Sequence, residues 1–426
     1  MGATRGRLWP TARGSPPSTP ATYTNPRPHH TPPHVHPPIQ PPTHGCNNDA
    51  TRPSTSVVPV GASVLMCAPL FAEDSAPLCV LVLGGTQFMG RRTVEALLAS
   101  GCQVTIITRG RTKNPHPPEV EHIVCDRQQE RDRFRTTVGD AISNGCSAVI
   151  DFCAFHKSAV LDVVLGMGSS KAHYIFVSTD SVYMCCLPPN SADALGVQEE
   201  QGVQPENESE RQRLKDRDSY QHEYGSNKLE AEMCLAAVRE RTGFNYTCLR
   251  LPDVMGPRDN IGSFLRLQAL ISTGMPVPVG PKRDAVGNIR PSTSGILNRR
   301  ISLVFVDDVA LAIVAAIRAG AAVHGHSLNV ASPESPSFQE FVMTLATATN
   351  PSKADTLIFD NDKPSSGFPS VDFGHLNPTK VVRLLGPFGW TPTPLTDWVK
   401  TTVEWYKDGA NAAYTMAFVR ANSMFA

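Results

Sequence analysis

"CVLVLGGTQFMG", residues 79–90, decides the fold. An apolar run leads into two glycines, and "RRTVEALLASG" (91–101) follows with apolar residues at helical spacing and a terminal Gly101. An unbroken apolar run suits a strand buried on both faces, and the glycines suit a tight turn into a helix. That order begins a dinucleotide-binding βαβ unit. Gly84 stands where the backbone must turn, and Gly90 where the helix closes on the strand. Between them, the position of the usual middle glycine carries Gln87. Its side chain can point outward and leave the N–H groups of Thr86, Gln87, Phe88 and Met89 aimed at a pyrophosphate beside the helix N-terminus. The loop is therefore expected to hold a cofactor despite Gln87.

Working outward, strands and helices alternate. "CQVTIITRGR" (102–111), "VEHIVCD" (120–126), "AVIDFCAF" (148–155) and "HYIFVSTDSVY" (173–183) read as strands separated by helices or loops. The pattern predicts an α/β fold: a Rossmann-type, doubly wound parallel sheet with a small C-terminal substrate lobe. Residues 77–254 form the dinucleotide-binding domain. Residues 255–426 form mainly the substrate lobe, with a strand near 326–332 returning to the sheet. Residues 184–219, polar and without period, read as a long surface loop near the site. Residues 1–76 are crowded with proline, threonine and histidine, have little to bury and are expected to be disordered. About 350 residues remain, enough for a substantial core.

The second strand bears on the choice of dinucleotide. An acidic residue about 20 positions past the turn would hold the ribose hydroxyl of NAD. This strand ends in "TRGR", with Arg109 and Arg111 and no carboxylate. Guanidinium groups suit a 2′-phosphate, so NADP is the expected cofactor, with NAD as the alternative. Asp126, ending the third strand with Arg127 beside it, is placed for the adenine amino group. Further on, "HEYGSNKLEAE" puts Tyr224 and Lys228 on one face of a helix. A tyrosine is a poor base near neutral pH, and a nearby lysine cation would lower its pKa. Thr179 in "FVSTDSVY" offers a hydroxyl to a substrate oxygen.

The glycine-turn start, "STDSVY", "YGSNK", "LRLPDVMGPRD" and "FVDDVA" stand in the order used by extended short-chain dehydrogenases/reductases. Over roughly residues 78–407 the chain resembles that group, the NAD-dependent epimerase/dehydratase family. The form "GGTQFMG" is most similar to an atypical branch that includes chloroplast stem-loop RNA-binding proteins. The resemblance implies Thr179, Tyr224 and Lys228 as catalytic residues, with Asp180 beside them. It also implies an oxidoreductase or epimerase acting on a secondary alcohol of a sugar or sugar nucleotide. "STDSVY" is similar to the "STDEVY" of sugar-nucleotide dehydratases, but Ser181 replaces the glutamate base, which argues against dehydration. The alternative function is an RNA-binding or dinucleotide-sensing protein with reduced catalysis.

Composition narrows the partners. Lys plus Arg and Asp plus Glu number 39 each, and no basic, aromatic-interleaved stripe occurs, so RNA is disfavoured. No span of about 18 apolar residues occurs, so no membrane segment is expected. A small sugar-type substrate is the expected partner, and a homodimer the expected assembly. The eleven cysteines are scattered, without a C-x-x-C pair, and read as reduced thiols of a cytoplasmic protein. The tail carries Arg5, Arg7, Arg13 and Arg27 and no acidic residue before Asp49. If it is a transit peptide the location is a plastid or mitochondrion, and Met66 offers an alternative start. No metal site is expected, the tail histidines included. His156 is a candidate lining residue of the substrate pocket, and Arg258 a candidate for substrate phosphate or for pairing with Asp259. Asp307 and Asp308 read as a helix cap, and Trp390 as a core residue of the small lobe.

Overall fold

The computed structural model describes residues 77–280, 295–365 and 368–411, with Thr415. The expected tail, 1–76, lies outside the described residues. The strands are β1 (Cys79–Leu83), β2 (Gln103–Thr108), β3 (Glu121–Val124), β4 (Cys146–Asp151), β5 (His173–Thr179), β6 (Tyr246–Leu251), β7 (Asp253–Met255), β8 (Val277–Gly280), β9 (Leu303–Phe305), β10 (His326–Asn329) and β11 (Phe359–Pro364). The helices are α1 (Phe88–Ala99), α2 (Arg131–Ser143), α3 (Lys157–Met167), α4 (Glu208–Arg217), α5 (Ser219–Thr242), α6 (Ser263–Thr273), α7 (Val306–Ala319), α8 (Phe338–Thr349), α9 (Pro351–Ala354), α10 (Thr379–Leu385) and α11 (Leu395–Lys407).

Seven strands form one parallel sheet in the order β10-β6-β5-β4-β1-β2-β3. The order runs outward from β1 in both directions, so the crevice at its reversal opens at the carboxyl ends of β1 and β4. The strands β1, β4, β5 and β6 are buried almost throughout, as apolar runs covered on both faces must be. One face packs on α1, α7 and α10 through Val94, Leu97, Ile313 and Leu385; the other packs on α2, α3 and α5 through Phe134, Val163 and Leu235. A separate aromatic core, with Phe264, Phe305, Phe341 and Trp398, builds a C-terminal lobe around β7–β9 and the β8–β11 pair.

Several expectations change. Within 184–219, Met184, Cys185 and Cys186 are buried, and α4 forms from Glu208, its N-cap Asn207 accepting from the Glu210 N–H. Acidic residues in its first turn and Lys215 and Arg217 in its last complement the helix dipole, which a period-based reading misses. Asp307 and Asp308 do not cap α7, since its N-cap is Phe305. Asp307 instead takes a bidentate pair from Arg92 on α1 (2.6 and 2.7 Å), and Asp308 accepts from the Thr393 N–H and hydroxyl. Trp390 belongs to the main sheet's helical layer, its indole N–H donating to Asp308 O (3.0 Å). The thiols are not all free. Cys79 and Cys146, at the start of neighbouring strands, are joined as a disulfide with Cα atoms 4.3 Å apart, while seven other described cysteines are unbridged.

Candidate active site

The glycine turn forms as its residue types require. Gly84 ends β1 with φ +96°, a left-handed conformation that only glycine takes without strain. A Cβ on Gly90 would lie 2.0 Å from Gly84 O, so α1 touches the turn backbone. No side chain caps α1, because Gln87 at its N-cap reaches away to donate to Thr112 Oγ1 (3.2 Å). The first-turn N–H groups of α1 are thus left to a ligand, as an anion-binding helix N-terminus demands.

A crevice of about 220 Å³, partly open to solvent, runs along the carboxyl ends of β1, β2 and β4. Gly84, Thr86, Gln87, Arg109, Arg111, Asp126 and Arg127 line it together. Arg109 and Arg111 are exposed at its mouth, and Asp126 is half-buried. These residues fit a dinucleotide: an uncapped helix N-terminus for a pyrophosphate, guanidinium groups beyond it, and a carboxylate at the far end. Phe88 and Met89 turn their side chains away into the hydrophobic cores, so their contribution is confined to the main chain. Arg127 is committed elsewhere. It pairs with both Asp151 oxygens (3.0 Å each), donates to Ala159 O (2.7 Å) and lies over the Phe134 ring.

At the other end of the crevice Phe155 lies 6.4 Å from the Tyr224 ring, centroid to centroid. Thr179 ends β5 and starts a 3-10 turn over Asp180–Cys185, accepting from the Ser181 N–H (3.1 Å). Its hydroxyl lies 3.2 Å from Ser181 Oγ and 3.4 Å from Asp180 Oδ1, and α5, which carries Tyr224, packs on the same turn. One helical turn on, Lys228 donates to Ala154 O and Val177 O (2.8 Å each) beneath the Phe155 and Phe176 rings. Thr179, Tyr224 and Lys228 therefore converge. Gly225 makes this possible: a Cβ there would stand 1.8 Å from Ser181 O, so α5 lies directly on the 3-10 turn.

The electrostatics depart from the expectation of a lysine-activated phenol. Burial, and then Asp180, push Tyr224 up to about 12. Lys228 is itself lowered to about 8 by burial. Burial and Asp253 hold the Asp180 carboxyl well above the usual range, and burial raises Asp253 to about 6. His156 is exposed at the N-cap of α3 and outside the crevice. The Arg258 guanidinium lies over the Trp405 ring (5.2 Å), and Asp259 accepts from the Ile261 N–H (2.8 Å).

Sequence reasoning missed Asp151, Cys153, Phe155 and Asp253. All four lie at or just past the carboxyl end of β4 or β6, the edge where such sheets bind ligands, and that position was the available signal. No helix among the described residues is long and apolar enough to cross a membrane, and no group of three metal-ligating side chains occurs among them.

Comparison with known proteins agrees with this architecture. A model of the NAD-dependent epimerase/dehydratase family matches residues 80–331. No curated protein matches the chain. Among solved structures, the Thermus thermophilus UDP-glucose 4-epimerase in complex with NAD is similar at a TM-score of 0.56 and 19% identity, over 78% of this chain and 100% of that one. Bordetella bronchiseptica WbmH in complex with NAD+ follows at 0.55 and 18%, over 78% and 99%. The UDP-N-acetylglucosamine 4-epimerase of Methanobrevibacter ruminantium, in complex with UDP-N-acetylmuramic acid, gives 0.56 and 17%, over 78% and 99%. Identities this low speak for the fold alone, whereas the family match extends over more than half of the sequence. The chain belongs to the NAD-dependent epimerase/dehydratase family.

Proposed function

We propose that the protein is a nicotinamide-dependent oxidoreductase or epimerase acting on a secondary alcohol of a sugar or sugar nucleotide, with NADP(H) as its preferred cofactor. The observation that carries this reading is that Tyr224 and Lys228, on a helix packed against the turn that starts at Thr179, contact Phe155, which lines a crevice beginning at an uncapped glycine turn. The backbone N–H groups at residues 86–89 bind the pyrophosphate, and Arg109 and Arg111 the 2′-phosphate. The bound dinucleotide supplies the hydride acceptor and donor. Tyr224 accepts the proton of the substrate hydroxyl, and Thr179 donates a hydrogen bond that orients the same oxygen. Lys228 fixes the pitch of α5 through its two carbonyl bonds and holds its ammonium 6.0 Å from the centre of the Tyr224 ring. Ser181 in place of a glutamate argues against dehydration.

The uridine sugar nucleotides named for the structural neighbours support that substrate class. Fluorescence titration with NADPH and NADH tests the cofactor. NADPH is expected to bind at least about tenfold more tightly, through charge-assisted contacts to the extra phosphate. Substitution of Arg109 and Arg111 by Ala is expected to abolish the difference while leaving NADH binding unchanged. A preference for NADH would overturn the assignment of these two arginines.

A further inference from the structure

We infer that His116 and Gln87 are positioning residues that hang the β2–β3 connection on the glycine turn and so hold Arg109 and Arg111 where a 2′-phosphate binds. The inference rests on the proposed assignment of those two arginines. They need an external hold. From Arg109 to Pro118 the connection reads "RGRTKNPHPP", with Arg109, Arg111 and Lys113 and no acidic residue. It forms no helix or strand of its own. Like charges along an exposed loop repel one another, and here no counter-charge lies within the loop.

Two hydrogen bonds supply the hold, and both end on the glycine turn. The first comes from His116, whose Nε2 lies 2.7 Å from Gly85 O. A carbonyl oxygen only accepts, so this nitrogen carries the proton. Burial lowers the imidazole pKa below its usual value, which leaves the ring neutral at pH 7 with Nδ1 unprotonated. Gly85 is a fixed point. A Cβ there would lie 2.8 Å from Ile106 Cγ2 and 3.0 Å from Val94 Cγ2, so its backbone is wedged between β2 and α1. His116 is also constrained. It is half-buried between Pro115 and Pro117, whose rings fix φ on either side, and its own N–H donates to Asn114 Oδ1 (3.1 Å).

The second bond comes from Gln87, whose amide donates to Thr112 Oγ1 (3.2 Å). Thr112 follows Arg111 directly, and Gln87, Arg109, Arg111 and Thr112 line the crevice together. The side chain that replaces the usual middle glycine therefore grips the loop one residue from a guanidinium, which a glycine could not do. On the other side of the arginines, the Gly110 N–H donates to Thr108 Oγ1 (3.1 Å), which ties the loop to the end of β2. Arg109 and Arg111 thus lie on a segment fixed at both ends. Cations held in advance lose less freedom when an anion binds, and the difference appears as affinity for the extra phosphate.

Nitrogen NMR of the ligand-free protein gives the first test. His116 is expected as the neutral Nε2–H tautomer at pH 7; an Nδ1–H tautomer or an imidazolium would overturn the inference. Fluorescence titration then compares NADPH with NADH. In His116→Phe, which keeps a ring and removes the donor, the ratio of NADPH to NADH affinity is expected to fall about three- to tenfold, as the loss of one hydrogen bond requires. His116→Gln, whose amide can donate from the place of Nε2, should return the ratio to within about twofold of native. Thr112→Val, an isosteric change at a half-buried loop position, should lower it about threefold. NADH affinity should stay within about twofold of native in all three variants. Amide exchange at residues 109–113 of ligand-free His116→Phe should quicken at least about threefold. A native preference for NADH would overturn both this inference and the assignment of the arginines. A native preference for NADPH that His116→Phe and Thr112→Val leave intact, an equal loss of both affinities, or unchanged amide exchange would overturn the positioning role alone.

Discussion

Substituting Gly225 by alanine tests how closely α5 must approach the 3-10 turn. The added Cβ would meet Ser181 O at 1.8 Å, Ser181 C at 2.6 Å and Val182 N at 3.1 Å. All three are main-chain atoms of the turn that carries Asp180, and Ser181 and Val182 are themselves buried, so the turn cannot give way cheaply. To restore a separation of 3.0 Å the helix must withdraw by about 1.2 Å. That movement takes the Tyr224 phenol away from Thr179 and stretches the 2.8 Å bonds from Lys228 to Ala154 O and Val177 O beyond hydrogen-bonding range.

Overpacking costs roughly 1–3 kcal/mol, offset by about 1 kcal/mol of better helix propensity. The variant should therefore fold, with a modest fall in the urea midpoint. Misplacement of a reacting group by about 1 Å costs on the order of 100-fold in rate, and that is the expected fall in kcat. Dinucleotide affinity should stay within about twofold of native, because most lining residues of the crevice lie on β1, β2 and the segments after β1, β2 and β3, with only Cys153 and Phe155 beyond β4 and Phe134 on α2, and none on α5. The assay is nicotinamide absorbance with the best sugar nucleotide found for the native protein, beside fluorescence titration of the cofactor. An alanine variant with native kcat and an unmoved α5 would refute the reasoning.

Three further substitutions probe other parts of the fold. Gly90→Ala puts a Cβ 2.0 Å from Gly84 O and should reduce dinucleotide binding at least about tenfold while circular dichroism stays near native; undiminished binding would show that the turn is not the phosphate site. Arg92→Ala leaves the Asp307 carboxylate without its bidentate partner between α1 and α7, and should cost about 2–4 kcal/mol in urea unfolding; a loss below about 1 kcal/mol would show that solvent replaces the pair. Burial raises Asp308 to about 6, above its unfolded value, so its proton stabilises the fold at low pH and this contribution is lost as pH rises from about 4 through 6. Relative to Asp308→Asn, the native protein should accordingly lose melting temperature across that window and not above it; a constant difference would contradict the raised value.

How much of this was legible in the sequence depended on whether the signal was local. The run at 79–83 has to be a strand buried on both faces, and Gly84 and Gly90 have to turn and close, because no other residue type fits those positions. Tyr224 and Lys228 were legible for the same reason, since four residues on a helix fix a shared face. Pairings that span distant segments were not. Arg127 follows Asp126 in a strand-end motif, yet its charge goes to Asp151 at the end of β4, with β1 and β2 lying between β3 and β4 in the sheet, a pairing no local pattern encodes. Trp390 follows the substrate-lobe segments in sequence but packs behind α7. Helix α4 has almost no apolar period, and it holds its place through Arg217, which donates to Met184 O and Leu187 O. Asp253 sits two residues past a strand whose partner ends at Thr179, and register, which no single strand encodes, makes it a neighbour of the site.

The departure at Gln87 has a structural counterpart one residue later. A glycine in this loop would absorb a left-handed backbone at little cost. Without it, Phe88 takes φ +39°, a region that costs a non-glycine residue roughly 1–3 kcal/mol. The ring of Phe88 is 5% exposed and packs in the substrate-lobe core with Met255, Phe305 and Val306, a burial worth about 1.5–3 kcal/mol. The two quantities are of the same size, so the strained turn is held by the lobe rather than by its own sequence. The glycine-turn loop and the C-terminal lobe are therefore one mechanical unit, and a disturbance of the lobe core has a direct route to the proposed cofactor site through Phe88.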